Sequence, residues 1–259
     1  MPHIIEWTPN AEAQLREHLQ IPLVSPLPSP HDTPALSDDG RAGFEHYGFE
    51  WYLIPPDTAA PFDERYVARC YPTAPASVFA PLHHGDSLYQ LLKTGHRAHQ
   101  GRFIAVERTQ KPGYLPGNEQ CYGTPYGFAP VADPLLPYMG SAGFTTRTRY
   151  NHDYGTLSQL IRLIQADWER AGWLPEGYRV SICPPVVFNL VGTIFHPEWS
   201  ATASLELGFY RDPHGNAQCF AVGPNGPNDF SYVHQVETDS EWPLLGFRLA
   251  LVPEPPTAR

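Results

Sequence analysis

A chain of 259 residues with 42% apolar content and a mean hydropathy of -0.35 carries enough hydrophobic material for one large packed core, which excludes a disordered chain. Its 17 basic and 27 acidic side chains leave a formal charge of -10, a field that repels phosphate backbones and excludes general nucleic-acid binding. Met1 to Glu6 has no basic or long apolar segment, and the longest apolar stretch, Ile182 to Phe195, is broken by Pro184 and Pro185, which predicts a cytoplasmic protein without a leader or membrane span.

In chain order, Thr8 and Pro9 open a short helix over residues 9–19. Ile21 to Gly40 follows with prolines at 22, 26, 28, 30 and 34; missing amide hydrogens there predict an extended arm. Strand character is read at Phe44 to Ile54, Tyr66 to Tyr71 and Arg102 to Arg108. A helix is expected from Ser87 to Thr94, with Asp86 at its start and Gly95 at its end.

The strongest local signal is a helix from Leu157 to Ala171. Thr156 and Gln159 read as a capping box, Leu157, Leu160, Ile161, Ile164 and Trp168 fall on one stripe, and Gly172 ends it. Beyond it come strands at Arg179 to Cys183, Val186 to Phe195, Thr202 to Arg211, Ala217 to Val222, Phe230 to Val236 and Phe247 to Val252. Asp212 to Asn216 joins two of them as a hairpin turn. Strands, one principal helix and then an antiparallel run predict an α+β fold with Pro/Gly-rich loops in a single domain over 1–259.

The chemistry-bearing stretches are short. Cys70, Cys121, Cys183 and Cys219 lie tens of residues apart, which excludes a Cys-x-x-Cys metal ribbon and reads as buried thiols. His83, His84, Asp86, His96 and His99 fall within seventeen residues, but Gly95 and Gly101 argue against one helical face; no metal site is expected, and the histidines read as solvated loop residues. No Gly-x-Ser-x-Gly elbow or phosphate loop occurs. Gly113 to Pro130, rich in tyrosine, glycine and proline, reads as an irregular packed connection in preference to a mobile flap. The twelve histidines also include His152, His196, His214 and His234, which have no assigned role.

His83-His84-Gly85-Asp86-Ser87, leading into Leu91-Leu92-Lys93-Thr94-Gly95, resembles the first block of the ADP-ribosyltransferases. Phe144-Thr145-Thr146-Arg147-Thr148 is similar to the aromatic-Ser-Thr-Ser strand of their arginine-type members. The resemblance implies NAD as substrate, His84 to orient its ribose, Tyr122 or Tyr126 to stack on nicotinamide, Thr146 beside the cofactor, and Glu206 or Glu237 as the carboxylate facing the developing oxocarbenium ion. The ending Leu245 to Leu251 resembles the closing strand of formylglycine-generating-enzyme-like domains, without the cysteines of their oxidase chemistry.

Two function classes remain. One is an ADP-ribosyltransferase-like enzyme with a cleft near His84. The other is a non-catalytic interaction protein, such as an assembly, virion or immunity component, that binds a protein partner through exposed aromatics and the proline-rich arm.

Overall fold

The computed structural model describes residues 33–55, 62–70, 88–108, 113–115, 119–121, 133–142, 144, 149–201, 205–211, 216–223, 232–239, 241–242 and 245–254, with Ala13, Arg16 and Glu17. The helix expected over 9–19 and the arm up to residue 32 lie outside that set, apart from those three positions. So do His83, His84 and Asp86, most of the Gly113 to Pro130 connection, and the hairpin turn before Asn216.

The order of elements begins with α1 (Asp38–Tyr47), β1 (Phe49–Leu53), α2 (Glu64–Cys70), α3 (Leu88–His99) and β2 (Phe103–Glu107). Next come the short strands β3 (Gly113–Leu115) and β4 (Glu119–Cys121), then α4 (Leu136–Ser141), α5 (Tyr154–Arg170), β5 (Tyr178–Ile182) and α6 (Pro185–Ile194). A 3-10 turn (Pro197–Ala201) precedes β6 (Leu205–Arg211), β7 (Ala217–Gly223), β8 (Tyr232–Val236), β9 (Leu245–Phe247) and β10 (Leu249–Pro253).

Two four-stranded sheets result, and the fold is α+β. The first runs β1-β2-β10-β5 and is antiparallel throughout; the second runs β8-β7-β6-β9, with only the β6–β9 pair parallel. Arg211 pairs with Ala217, so the expected hairpin joins β6 to β7. Arg248 is the single residue between β9 in the second sheet and β10 in the first.

Three readings of strand are corrected to helix, for local reasons. The aromatic run from Phe44 to Ile54 begins as helix: Ser37 Oγ accepts the Gly40 amide at 2.9 Å to start α1, and Gly48, at φ 66°, ends it before β1. Of the run read as Tyr66 to Tyr71, the described part, residues 66–70, belongs to α2, where Asp63 Oδ1 accepts the amides of Arg65 and Tyr66 at 2.9 and 3.1 Å. Val186 to Phe195 is α6, where Pro185 takes the first helical position and the Pro184 carbonyl accepts the amides of Val187 and Phe188.

The helix boundaries also move. α3 runs through Gly95 and stops near Gly101, whose φ is 70°. α5 opens earlier than Thr156, with Asp153 Oδ1 accepting the Thr156 amide at 2.6 Å. Its stripe holds: Leu157, Leu160, Ile164 and Trp168 are buried, and Gly172 follows at φ 69°. At the other end of the expected arm, residues 38–40 are the first turn of α1.

α6 is the hub of the core. All its residues from Pro185 to Gly192 are buried, and it packs against α2, α3, β6 and β7. An all-round apolar helix belongs inside a large core. Gly208 of β6 lies against its start: a Cβ there would sit 3.0 Å from the Cys183 carbonyl and from the Pro185 ring, neither of which can swing aside. Gly208→Ala is therefore expected to lower stability by about 1–3 kcal/mol, read as a shift of the urea midpoint. An unchanged midpoint would show that β6 can retreat from α6.

Candidate functional site

Two polar assemblies stand out in this apolar interior, one around Glu107 at the end of the inner strand β2 and one on the edge strand β1. The deeper one is an ionic knot. Arg149 donates Nε and Nη2 to Asp133 at 2.5 and 2.8 Å, and Nη1 and Nη2 to Glu107 at 2.6 and 2.8 Å, with all three residues buried. Arg248 donates Nε and Nη2 to Glu206 at 3.1 and 2.9 Å, and Nη1 to the Glu107 carbonyl. The Leu249 amide reaches the Glu107 carboxylate at 3.3 Å. The Arg248 guanidinium lies 3.8 Å over the ring of Trp199, which is fully buried.

The second assembly runs outward from β1. Glu50 and Tyr52 are two residues apart on a strand and so share a face. The Tyr52 hydroxyl lies 2.9 Å from Glu50 Oε2 and 2.5 Å from His196 Nε2. His196 Nδ1 is 2.6 Å from Glu198 Oε1, and Arg108 Nη1 donates to Glu50 Oε1 at 3.0 Å. Tyr52 and Glu50 are buried, the His196 side chain is 12% exposed, and Glu198 and Arg108 are 50% and 54% exposed. The series thus passes from surface to interior and out again.

Trp199 fastens the two assemblies together. Its ring stacks on His196 at 4.6 Å and 6°, and on Phe188 of α6 at 5.6 Å and 21°. Its indole N–H donates to the Arg108 carbonyl at 3.2 Å. Burial pulls the His196 imidazole below its ordinary value, while Glu198 and Glu50 pull against that shift. Burial likewise pushes the Tyr52 hydroxyl up, reinforced by Glu50, so the phenol stays protonated.

Of the six residues that the sequence put forward, Glu206 and Glu237 lie within the described set. Glu206 is buried in β6, with both carboxylate oxygens engaged by Arg248. Glu237 is exposed, just past β8. His84, Tyr122, Tyr126 and Thr146 lie outside the described residues. Their flanks nevertheless have a common root. Asp133 follows the segment of Tyr122 and Tyr126, Arg149 follows that of Thr146, and both join Glu107 in the knot.

His96 and His99 are corrected from solvated loop residues to buried positions on α3, 1% and 8% exposed. No group of three or more metal-type side chains occurs among the described residues. Burial, with Arg179, His96 and Arg102 nearby, holds His99 down to about 3. Because that lies below the ordinary imidazole value of about 6.5, the unfolded chain binds the proton first. Its contribution to stability is complete above about pH 6.5 and lost as the pH falls toward about 3. Urea titrations across that range should show an acid limb that His99→Gln flattens; an unaltered limb would clear His99 of the effect.

Cys183 and Cys219 are free, buried thiols, pushed up by burial, Cys219 to about 12, which leaves neither as a thiolate nucleophile. Among tryptophans in the described residues, Trp51, Trp168 and Trp199 are core, and Trp242 is 36% exposed. Among the described residues no helix is long and apolar enough to cross a membrane.

Glu50, Tyr52, Arg108, His196 and Glu198 have no functional role among the expectations drawn from sequence. The i, i+2 spacing of Glu50 and Tyr52 in an aromatic strand was a usable signal, as was His196-Pro197-Glu198 after a long apolar run. The chain matches no protein-family model, no curated protein and no solved structure.

Proposed function

We propose that the chain is an enzyme that transfers protons at His196, acting on a small polar substrate that reaches the surface shared by His196, Glu198 and Arg108. One observation carries this reading: the imidazole is held from both sides, by Glu198 at 2.6 Å and by the Tyr52 hydroxyl at 2.5 Å. A carboxylate at Nδ1 fixes the tautomer, and acid or base work at Nε2 requires a substrate group to take the place of the Tyr52 hydroxyl there. Burial favours the neutral ring and the Glu198 and Glu50 carboxylates favour the charged one, opposing influences that suit a group which gains and loses a proton. Arg108 is half exposed and has more donors than Glu50 engages, which supports a substrate bearing a carboxylate or phosphate.

The test is hydrolysis of p-nitrophenyl acetate and p-nitrophenyl phosphate by the wild type and by His196→Gln. The variant is expected to lose about 100-fold or more in kcat/KM on the substrate that is turned over. Equal rates in the two proteins rule the reading out.

The NAD-cleaving form of an enzyme reading narrows to Glu237, because a Glu206 carboxylate already neutralised by Arg248 has little left for a developing cation. It requires His84, Tyr122, Tyr126 and Thr146 to gather at Glu237, and predicts nicotinamide release from NAD that Glu237→Ala abolishes. A second reading, a non-catalytic protein that binds a protein partner, draws support from Trp242, which is 36% exposed and stacks on His234 at 6.4 Å and 21°. Its test is loss of a co-purifying partner on Trp242→Ala, with the fold unchanged.

A further inference from the structure

We propose that Glu198, His196, Tyr52 and Glu50 form a proton wire that holds one proton more in the folded protein than the same four groups carry unfolded at neutral pH. The inference deepens the enzyme reading by naming how its site is charged, but rests on contact geometry alone. Three contacts connect the four groups in line: 2.6 Å from Glu198 to His196, 2.5 Å from His196 to Tyr52, and 2.9 Å from Tyr52 to Glu50. At such separations two bare lone pairs repel, so each contact needs its own hydrogen.

The count is then fixed. A carboxylate brings none, a phenol one, a neutral imidazole one and an imidazolium two. With both carboxylates ionised and a neutral ring, only two hydrogens serve three contacts. A third proton completes the series in two ways. In one, imidazolium Nδ1–H donates to Glu198, Nε2–H donates to the Tyr52 oxygen, and Tyr52 O–H donates to Glu50. In the other, a Glu50 carboxyl O–H donates to Tyr52, Tyr52 O–H donates to neutral Nε2, and Nδ1–H still donates to Glu198.

The two arrangements interconvert when the phenol hydrogen passes to Glu50 and the Nε2 hydrogen passes to the phenol oxygen. No hydrogen is gained or lost. A proton delivered at the 12% exposed imidazole can thus be stored at the buried end of β1 and returned. The surrounding charges are Arg108 on Glu50 at 3.0 Å, exposed Glu198, and Arg248 on the far side of Trp199. With one imidazolium and Arg108 facing two carboxylates, the assembly is neutral.

Unfolded, the imidazole titrates near 6.5 and the carboxyls near 4.3, so at pH 7.5 the four groups carry about two hydrogens. The folded form holds the third until the pH exceeds its folded value. Stability from this source is full below about pH 6.5 and is lost as the pH rises. One extra bound proton raises the unfolding constant up to tenfold per pH unit.

Urea unfolding from pH 6.5 to 8.5 reads this slope. Glu50→Gln supplies a permanent amide hydrogen to the Tyr52 oxygen, so all three contacts are met without the extra proton. Its slope is expected to fall by up to tenfold per pH unit relative to the wild type, and Tyr52→Phe should do the same by removing the middle of the wire. Wild-type slopes in both variants overturn the proposal. Should neither variant fold, phenol red in lightly buffered wild-type protein at pH 7.5 should report net proton release on unfolding; no release overturns it. The readout is stability, so a chain that turns over no tested substrate still answers it.

Discussion

Replacing Arg149 by alanine is expected to be among the most damaging single changes in the protein, costing about 3–5 kcal/mol. The guanidinium makes four hydrogen bonds to two buried carboxylates, Asp133 and Glu107. Removing it leaves both charges in a low-dielectric interior without that cation. The cost comes from what is stranded more than from what the pairs contribute, since replacing an entire buried ionic group by apolar residues is often neutral. Two urea titrations separate these terms. Arg149→Ala alone should lose several kcal/mol, and Arg149→Met with Glu107→Leu and Asp133→Leu should recover much of it. A single variant as stable as the wild type would mean that the knot is solvated.

Trp199→Ala is expected to cost a similar amount, about 3–5 kcal/mol, through the cavity left by a fully buried indole. It also differs in kind, because the ring spaces His196 from Arg248 and ties the 3-10 turn to the end of β2. Loss of the stack frees the imidazole, so the enzyme reading predicts a fall in activity larger than the folded fraction explains. Trp199→Phe keeps an aromatic face and loses only the N–H bond to the Arg108 carbonyl, for a cost of about 1 kcal/mol plus some packing. If Trp199→Ala unfolds at the wild-type urea concentration, the indole is not the spacer that its contacts imply.

The architecture could be read from the sequence where periodicity and punctuation agreed. α5 announced itself by a stripe and a terminal glycine, and β2, β5 and β7 by short runs bounded by turn residues. α6 was misread because Val186, Val187, Val191 and Ile194 have strand propensity, and an uninterrupted apolar run has no face to betray its period. Burial on every side overrode local preference there. The opening of α1 was hidden by the prolines before it, although Ser37 and Gly48 mark both of its ends.

The site was less accessible to the same reasoning. Glu50 meets His196 across 146 positions of chain only because β1 lies at one edge of the first sheet and α6 delivers the 3-10 turn there. No local pattern encodes that meeting. Charged residues that face each other inside the core, such as Glu107 and Arg149, carry no local mark of burial in the sequence.

The passage from β9 through Arg248 to β10 bears on how the molecule is made. β10 lies between β2 and β5, and β9 closes the far side of β6, so residues 245–253 complete both sheets at once. A growing polypeptide must therefore leave the ribosome with β2, β5 and β6 each lacking a neighbour. Assembly waits on contacts of high sequence separation, a slow route that exposes unpaired edges to association with other chains. A nascent chain halted before residue 245 should accordingly be degraded or held by chaperones, whereas one that has cleared residue 253 can lock both layers together in a single event.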